Sequence, residues 1–371
     1  MLTTTHPPHD ARIFQKETNS LVKEHEVTII APSAAGGSET TGNVRIVSVK
    51  KPESRVLHFL TIVKAFLACL RQDCDVMHCH EPDALLIGML AGRLTGRRVI
   101  YDVHEHWPSE IPFDLGIDAK TLAGRVLGSA VAAVELALAR RADRIIAVSE
   151  SVAERFRERG ENPVIVSNYS HTGLQLPPIS GGRNHRRLMY VAGSMHLHHG
   201  IRECVQAVSS LQDTYPDLSL TLIGNLRESP EEIAGSHPEA RIRLTGYLPY
   251  AQMYEELNRG GIGLLLFRPD YYNIYIGLPN KLFDYMLLGL PIIATDLPEI
   301  GRIIREADCG ILVDPADAAG IAEAIAYLAE RPDEAVRMGA NGRRAVEERY
   351  NWGRMEGVLL DVYRSLERSG N

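Results

Sequence analysis

The chain has no surplus of positive charge: 40 Lys and Arg stand against 47 Asp and Glu, a formal net charge of −7 over 371 residues. Lacking a global positive field, it is not built to neutralise a nucleic-acid backbone, although small anions need only local donors. Cysteine is scarce and odd in number. Cys69, Cys74, Cys79, Cys204 and Cys309 follow no regular spacing, which argues against a disulfide framework and favours a reducing compartment. The opening residues, MLTTTHPPHDAR, have neither the basic start nor the apolar core of a secretory leader. Long apolar runs are missing: the stretch Val56–Leu70 is broken by His58 and Lys64, too short and too polar to span a bilayer, and reads as a buried amphipathic helix. Basic residues around it (Lys50, Lys51, Arg55, Lys64, Arg71) leave peripheral membrane contact open. Short-period repeats and low-complexity tracts are absent as well. The expectation is a cytoplasmic globular protein, whose length predicts two domains.

What is present is a rhythm. Near-continuous apolar runs such as Glu26–Pro32, Arg98–His104, Arg187–Gly193, Ser219–Asn225 and Pro291–Leu297 alternate with helical patterns such as Ile201–Leu211 and Ala316–Ala329. Runs of this kind are parallel strands buried on both faces, and strand–helix alternation implies βαβ units. The fold class is therefore α/β, with two Rossmann-like, doubly wound parallel sheets. Residues 1–169 form the first domain, 170–186 a Pro- and Gly-containing linker, 187–351 the second domain, and 352–371 a final helix packing back on the first. Few residues precede the His6-Pro7-Pro8 turn, so the first, central strand is clipped or begins upstream.

In open α/β sheets ligands bind beyond the carboxyl ends of the strands. That rule selects the loops holding His9, Asp10 and Arg12, then His80, His104 and Glu105, then Gly193, Ser194 and His199, then Gly224 with Asn225, Tyr247 with Leu248, and Arg268. The most informative stretch is Tyr275–Pro291, YIGLPNKLFDYMLLGLP. Gly277, Leu278 and Pro279 make a turn and Asn280 opens a helix, with Pro at its first position; free N–H groups at such a helix start suit a diphosphate. Lys281 in the first turn opposes the helix dipole, and a charge against its local preference suggests a task, here neutralising phosphate. Asp10 caps the helix after Ala11. His78, Cys79 and His80 with Cys74 fit no standard zinc spacing, and strand alternation turns Cys79 away from both histidines. Asp73-Cys74-Asp75 precedes a strand, on the wrong edge for ligands, so no metal site is expected.

The stretch Asp284–Pro291 resembles the donor-binding motif of family 4 retaining glycosyltransferases with the GT-B fold, with Asp284 in place of that motif's second Glu. The first Glu would fall at Ile276. Pro279–Asp284 follows the Pro-Asn-Lys-Leu-Phe-Glu version found in bacterial polysaccharide enzymes, and the opening loop, Tyr101–Glu105 and Arg141–Ser149 are similar to the family's other strings in the same order. His199 stands where the family usually has a Lys. The resemblance implies a nucleotide diphosphate-sugar donor, by default UDP, bound on the second domain, with Asp284 accepting from ribose hydroxyls. It implies a glycan, lipid-linked or small-molecule acceptor on the first domain and a cleft between the halves. Retaining enzymes of this type attack from the leaving-group face and need no carboxylate pair. Lys281, aided by His199 and Arg202 or Arg268, would stabilise the leaving diphosphate; His104 would bond the donor sugar; and His9, Asp10, Arg12, His80 and Glu105 would serve the acceptor. No cofactor is expected. Two rivals remain: a nucleotide-sugar epimerase, and a non-catalytic sugar-nucleotide binder for which the missing Glu speaks.

Overall fold

The structure, a computed structural model, describes residues 1–52, 54, 57–173, 182–195, 199–227 and 240–368. Arg55, the middle of the expected linker and the 196–198 part of the expected post-strand loop lie outside them. The chain forms two compact units: Met1–Asn168 with Trp352–Asn371, and Tyr169–Asn351.

In the first unit, β1 (Val27–Ser33), β2 (Gly37–Thr41) and β3 (Val44–Lys50) make one sheet in the order β1-β3-β2. The strands β4 (Val76–Cys79), β5 (Arg98–Val103), β6 (Arg144–Ala147) and β7 (Val164–Ile165) make a second, all parallel. Leu2 joins the two sheets through parallel bridges to Ile30 and Cys79. β2 is an element that the apolar rhythm of the sequence does not announce. This strand pairs antiparallel with β3, and its residues, GSETT, are all exposed, so it carries no apolar signal.

The helices of this unit are α1 (Ile13–Thr18, π-wound and continued by Asn19–Leu21), α2 (His58–Leu70), α3 (Pro82–Thr95), α4 (Trp107–Asp114), α5 (Leu122–Ala139) and α6 (Glu150–Arg157). Right-handed crossovers place α2, α3 and α5 on one face of the sheet. The C-terminal helix Trp352–Arg368 packs with α1 in the same unit. Its Trp352, Leu359, Tyr363 and Leu366 share a core with Leu21, Ile100, Ile146 and Val166, and Trp352 Nε1 donates to Ser20 Oγ at 2.9 Å. α5 is the one helix among the described residues long and apolar enough to cross a membrane, a run that the sequence analysis does not single out. Its buried Glu135 is tied to the fold, accepting from Tyr101 OH and from Arg155 Nη2, each at 2.6 Å.

The second unit holds six parallel strands, β8 (Arg187–Met195), β9 (Ser219–Leu226), β10 (Ile242–Leu244), β11 (Ile262–Leu265), β12 (Ile292–Thr295) and β13 (Gly310–Val313), in the order β10-β9-β8-β11-β12-β13. The order reverses at β8, the switch point of a doubly wound sheet. Around them lie α7 (Ile201–Ser210), α8 (Tyr250–Asn258), α9 (Tyr272–Tyr275), α10 (Asn280–Leu287), α11 (Pro298–Ala307), α12 (Ala318–Glu330) and α13 (Pro332–Glu348). Strand residues Leu188, Tyr190, Leu220, Leu222, Leu264 and Ile293 are wholly buried, which is why their runs read as continuous apolar sequence. The expected linker is no free tether at its described ends. Ser170 Oγ donates to Asp284 Oδ1 at 2.8 Å, and Arg183 Nη1 donates to Gly260 O at 2.8 Å, so both ends are bonded into this unit.

Candidate active site

At the carboxyl ends of β4 and β5 the first unit gathers a buried polar cluster around Asp102. Arg12 Nη2 donates to both Asp102 oxygens, at 3.0 and 2.9 Å, while its Nη1 donates to Val166 O at 2.8 Å. Arg12 Nε donates to His104 Nε2 at 3.0 Å and lies 2.7 Å from Glu17 Oε1. His78 bridges Tyr363 OH through Nδ1 at 2.9 Å and Asp102 Oδ2 through Nε2 at 3.3 Å. His80 Nδ1 lies 3.3 Å from His104 Nε2. Arg12, Glu17, His78, His80 and Asp102 are all buried.

The charges follow from burial. Burial opposes the Asp102 charge, but the Arg12 guanidinium bonded to both its oxygens holds the carboxyl well below the usual range. Burial also lifts the Glu17 carboxyl well above its usual range, Arg12 notwithstanding, with Asp102 adding to the rise. Burial pushes His78, His80 and His104 down in spite of Asp102. The cluster therefore carries one ion pair, Arg12 with Asp102, among neutral groups. Because Arg12 has no lone pair to offer, His104 Nε2 must accept, and the ring proton sits on Nδ1.

Glu17, His78, His80 and Asp102 each offer an atom within 4.8 Å of the others, a spacing at which a metal ion could be held. Two features oppose it. The Arg12 cation already serves both carboxylates. The rings of His78 and His80 are stacked, 4.7 Å apart at 16°, so their in-plane lone pairs run nearly parallel instead of converging on one ion. Cys79 takes no part, its Sγ lying against Gly88.

The structure places two acceptor candidates, His80 and Arg12, inside the unit and leaves Asp10 as the expected cap. His80, expected in an open loop, is 0% exposed. Arg12 is buried and fully engaged, so it positions the cluster. Asp10 Oδ1 accepts from the backbone N–H of Arg12 at 2.8 Å and of Ile13 at 3.0 Å, the expected cap, although the helix starts at Ile13. Burial opposes its charge, but bonds from His6 and these N–H groups hold it below the usual carboxylate range. His9 is exposed, its Nε2 3.3 Å from Glu39 Oε1. Glu105 is half-buried, and burial, reinforced by Glu110, pushes its carboxyl up to about 7.

In the second unit the residues around α10 converge. Lys281 Nζ sits over the Phe267 ring at 4.5 Å and the Tyr190 ring at 5.4 Å. The His199 ring meets Phe267 edge-on at 5.3 Å, and Tyr190 OH donates to His199 O at 2.6 Å. Burial lowers the Lys281 ammonium to about 7, against the pull of Asp284. Arg268 Nη1 donates to Glu203 Oε1 at 2.9 Å. Pro279 is the cap, outside the helix, rather than its first residue as expected, and Asn280 is the first residue. Asp284 is buried, and its Oδ1 accepts from Tyr254 OH at 2.5 Å as well as from Ser170; its first role is within the unit. Ile276, where the resembled motif has Glu, is buried and caps α9. Gly277 is half-buried, and a Cβ there would stand 2.7 Å from Asn273 O; Leu278 is half-buried and Asn280 exposed.

The remaining donor candidates sit at strand ends. Gly224, bridged to Gly246, has φ 134°, and a Cβ there would lie 1.6 Å from Ala192 O, so only glycine fits. Gly193, Asn225 and Tyr247 are exposed, Leu248 is half-buried, and Ser194 Oγ accepts from Arg227 Nε at 2.7 Å. Sequence reasoning missed Glu17, His78, Asp102 and Tyr363 in one unit, and Tyr190, Tyr254 and Phe267 in the other. Asp102 has a signal, a polar residue inside an apolar strand, and Phe267 follows a strand's end; Tyr190 within β8, Tyr254 within α8 and Tyr363 in the C-terminal helix have none.

Two α/β units, each with polar groups gathered at its strand ends, define a two-unit α/β architecture of the kind that binds ligands at those ends. Comparison with known proteins makes this specific. Residues 15–168 match Glycosyltransferase Family 4, and residues 186–331 match Glycosyl transferases group 1. The chain is a glycosyltransferase of this family 4 and group 1 type. The phosphatidyl-myo-inositol mannosyltransferase of Mycobacterium leprae is 23% identical over 314 residues, covering 81% of this chain and 75% of the relative. Sucrose-phosphate synthase from Thermosynechococcus elongatus superposes with a TM-score of 0.75 at 16% identity, covering 96% of this chain and 93% of that one. Anabaena HepE in complex with UDP superposes with a TM-score of 0.71 at 13% identity, covering 98% of each chain. The fold is GT-B.

Proposed function

We propose that the chain is a retaining, metal-independent hexosyltransferase that moves a sugar from a UDP-sugar to a hydroxyl of a glycan or lipid-linked acceptor. The observation that carries this reading is Lys281, held over the Phe267 and Tyr190 rings in the first turn of α10. Cleaving a glycosyl–phosphate bond places charge on the departing diphosphate, and a preorganised cation beside a helix N-terminus answers that charge. An arriving diphosphate raises the proton affinity of Lys281, so donor binding and charging of the lysine go together. His199 and Arg268 are further donors near the same aromatic ring and strand end. On the first unit, His104 offers its Nδ1–H to a sugar hydroxyl, and Glu105, with its raised carboxyl, offers a partner for the acceptor. Arg12 already supplies the cation that the Asp102 cluster needs, which supports chemistry without a metal. UDP is the favoured nucleotide because a structural neighbour, Anabaena HepE, is described in complex with it. The acceptor class rests on the relative's name, a phosphatidylinositol mannosyltransferase, and on the likeness to polysaccharide enzymes.

The test is a panel of nucleotide sugars, with release of nucleoside diphosphate measured with and without acceptor. UDP release that chelator does not diminish supports the reading. Free epimer without acceptor would make the chain an epimerase. Tight donor binding with no cleavage would make it a binding protein.

A further inference from the structure

The sheet of the second unit ends at β13, and that end is open. β11 and β12 are buried throughout, whereas every residue of β13 is half-buried. The direction of its backbone groups follows from the ladder. Ile292 pairs with Gly310 in parallel register, and Ile292 N donates to Cys309 O at 3.1 Å. Successive residues of a strand face opposite sides of the ladder. Ile311 and Val313 therefore turn their N–H and C=O groups to β12, and Gly310 and Leu312 turn theirs to the free edge. Folded sheets usually blunt such an edge with a charge or a proline. The opposite edge does so: β10 carries Arg243, which is exposed and paired with Glu256. β13 reads Gly-Ile-Leu-Val and has neither.

A groove runs along this edge, lined by β13, α12 and α13. Ile311, Val313, Ala324 and Met338 give it an apolar lining. Its charged lining is acidic throughout, Asp314, Asp317 and Glu323, with no Lys or Arg among the lining residues. Local bonds fix two of these carboxylates. Asp314 Oδ1 accepts from Ala316 N at 2.8 Å, and Asp317 Oδ1 accepts from Ala319 N at 3.1 Å and Gly320 N at 3.0 Å. All three acidic residues are exposed. An open strand edge beside an apolar groove is the equipment of strand addition, in which main-chain bonds give affinity and side-chain seats give specificity. Charge then selects the occupant. A second copy paired edge to edge would set Asp314, Asp317 and Glu323 near their own duplicates. A peptide carrying Lys or Arg meets the same acids favourably.

We infer that the β13 edge takes an extended basic peptide of a partner protein, added as a further strand to the sheet of the second unit. This goes beyond the transfer reading and does not depend on it, because peptide binding is measured without donor.

The full chain is titrated into a fluorescein-labelled short peptide of alternating lysine and valine, followed by anisotropy. Two control peptides accompany it: one of alternating glutamate and valine, and the lysine–valine peptide N-methylated at alternate residues. The first peptide binds and the controls do not. N-methylation removes the donors of one peptide edge and leaves its charge, so it separates strand addition from attraction of charge alone. Hydrogen exchange over Gly310–Val313 slows when the peptide is bound. Glu323→Lys, altered at an exposed position, weakens binding by up to about fivefold. Leu312→Pro removes an outward N–H without touching the bonds to β12 and abolishes binding; the N-methylated peptide carries the same question if that variant misfolds. Four outcomes overturn the inference: no binding of the lysine–valine peptide, equal binding of its N-methylated form, binding with unchanged exchange over Gly310–Val313, or a wild-type dimer that Leu312→Pro makes monomeric with no peptide binding by either.

Discussion

Arg12 Nε donates to His104 Nε2 across 3.0 Å, and that bond decides which ring nitrogen of His104 carries a proton. The same guanidinium grips Asp102 and lies against Glu17, so one side chain sets the charge, the tautomer and the orientation of the cluster. Removing it leaves a buried carboxylate without its counter-charge, a loss of about 3–5 kcal/mol in comparable cases. Arg12→Ala is expected to lower stability by that order in urea titration. Arg12→Lys keeps the charge but not the fork, and is expected to fall between the two.

Lys281 predicts two opposite pH trends. The ammonium titrates at about 7 in the folded chain and at about 10.4 when unfolded. Between those values the unfolded state binds more protons, so stability rises with pH through that window, relative to Lys281→Met. Donor binding needs the charged form, so UDP affinity weakens above about pH 7, by up to about tenfold per unit. Calorimetry in buffers of different ionisation enthalpy checks it: binding near pH 8 takes up protons in wild type and none in Lys281→Met.

Tyr254 and Ser170 hold the carboxylate that sequence resemblance assigns to the ribose. Tyr254→Phe removes one bond to a buried charged oxygen and is expected to cost about 1–3 kcal/mol. Its effect on donor KM should be smaller than that of Asp284→Ala, which loses both the internal bonds and the ribose contact. Equal effects on KM would assign Asp284 to structure alone.

The C-terminal helix is part of the first unit's core through Trp352. Trp352→Ala is expected to destabilise that unit by about 3–5 kcal/mol, seen as earlier thermal loss of its near-ultraviolet signal.

The doubly wound rhythm was legible because strands such as β8, β9 and β12 are buried on both faces and read as unbroken apolar runs. β2 was not, because GSETT is an exposed edge strand whose pairing comes from its neighbour. α5 escaped because Arg125 and Glu135 interrupt its composition, and only the fold shows that Glu135 faces inward. Position after a strand pointed to His104, and a charge against the helix dipole pointed to Lys281. The same rule placed His80 in a loop, where burial now removes it from the acceptor's reach. Asp102 was invisible as a hub since its partner Arg12 lies 90 residues away in sequence. The aromatic rings around Lys281 come from within β8 (Tyr190) and from just after β11 (Phe267), and no spacing announces them.

The central claim is that Lys281 stabilises the departing diphosphate. Its most direct measurement is kcat/KM for donor cleavage by Lys281→Ala against wild type near pH 7, with folding confirmed by thermal melting. Loss of a preorganised charge partner at a developing anion predicts a fall of about 10²–10³-fold. An unchanged kcat/KM in a folded variant would contradict the account.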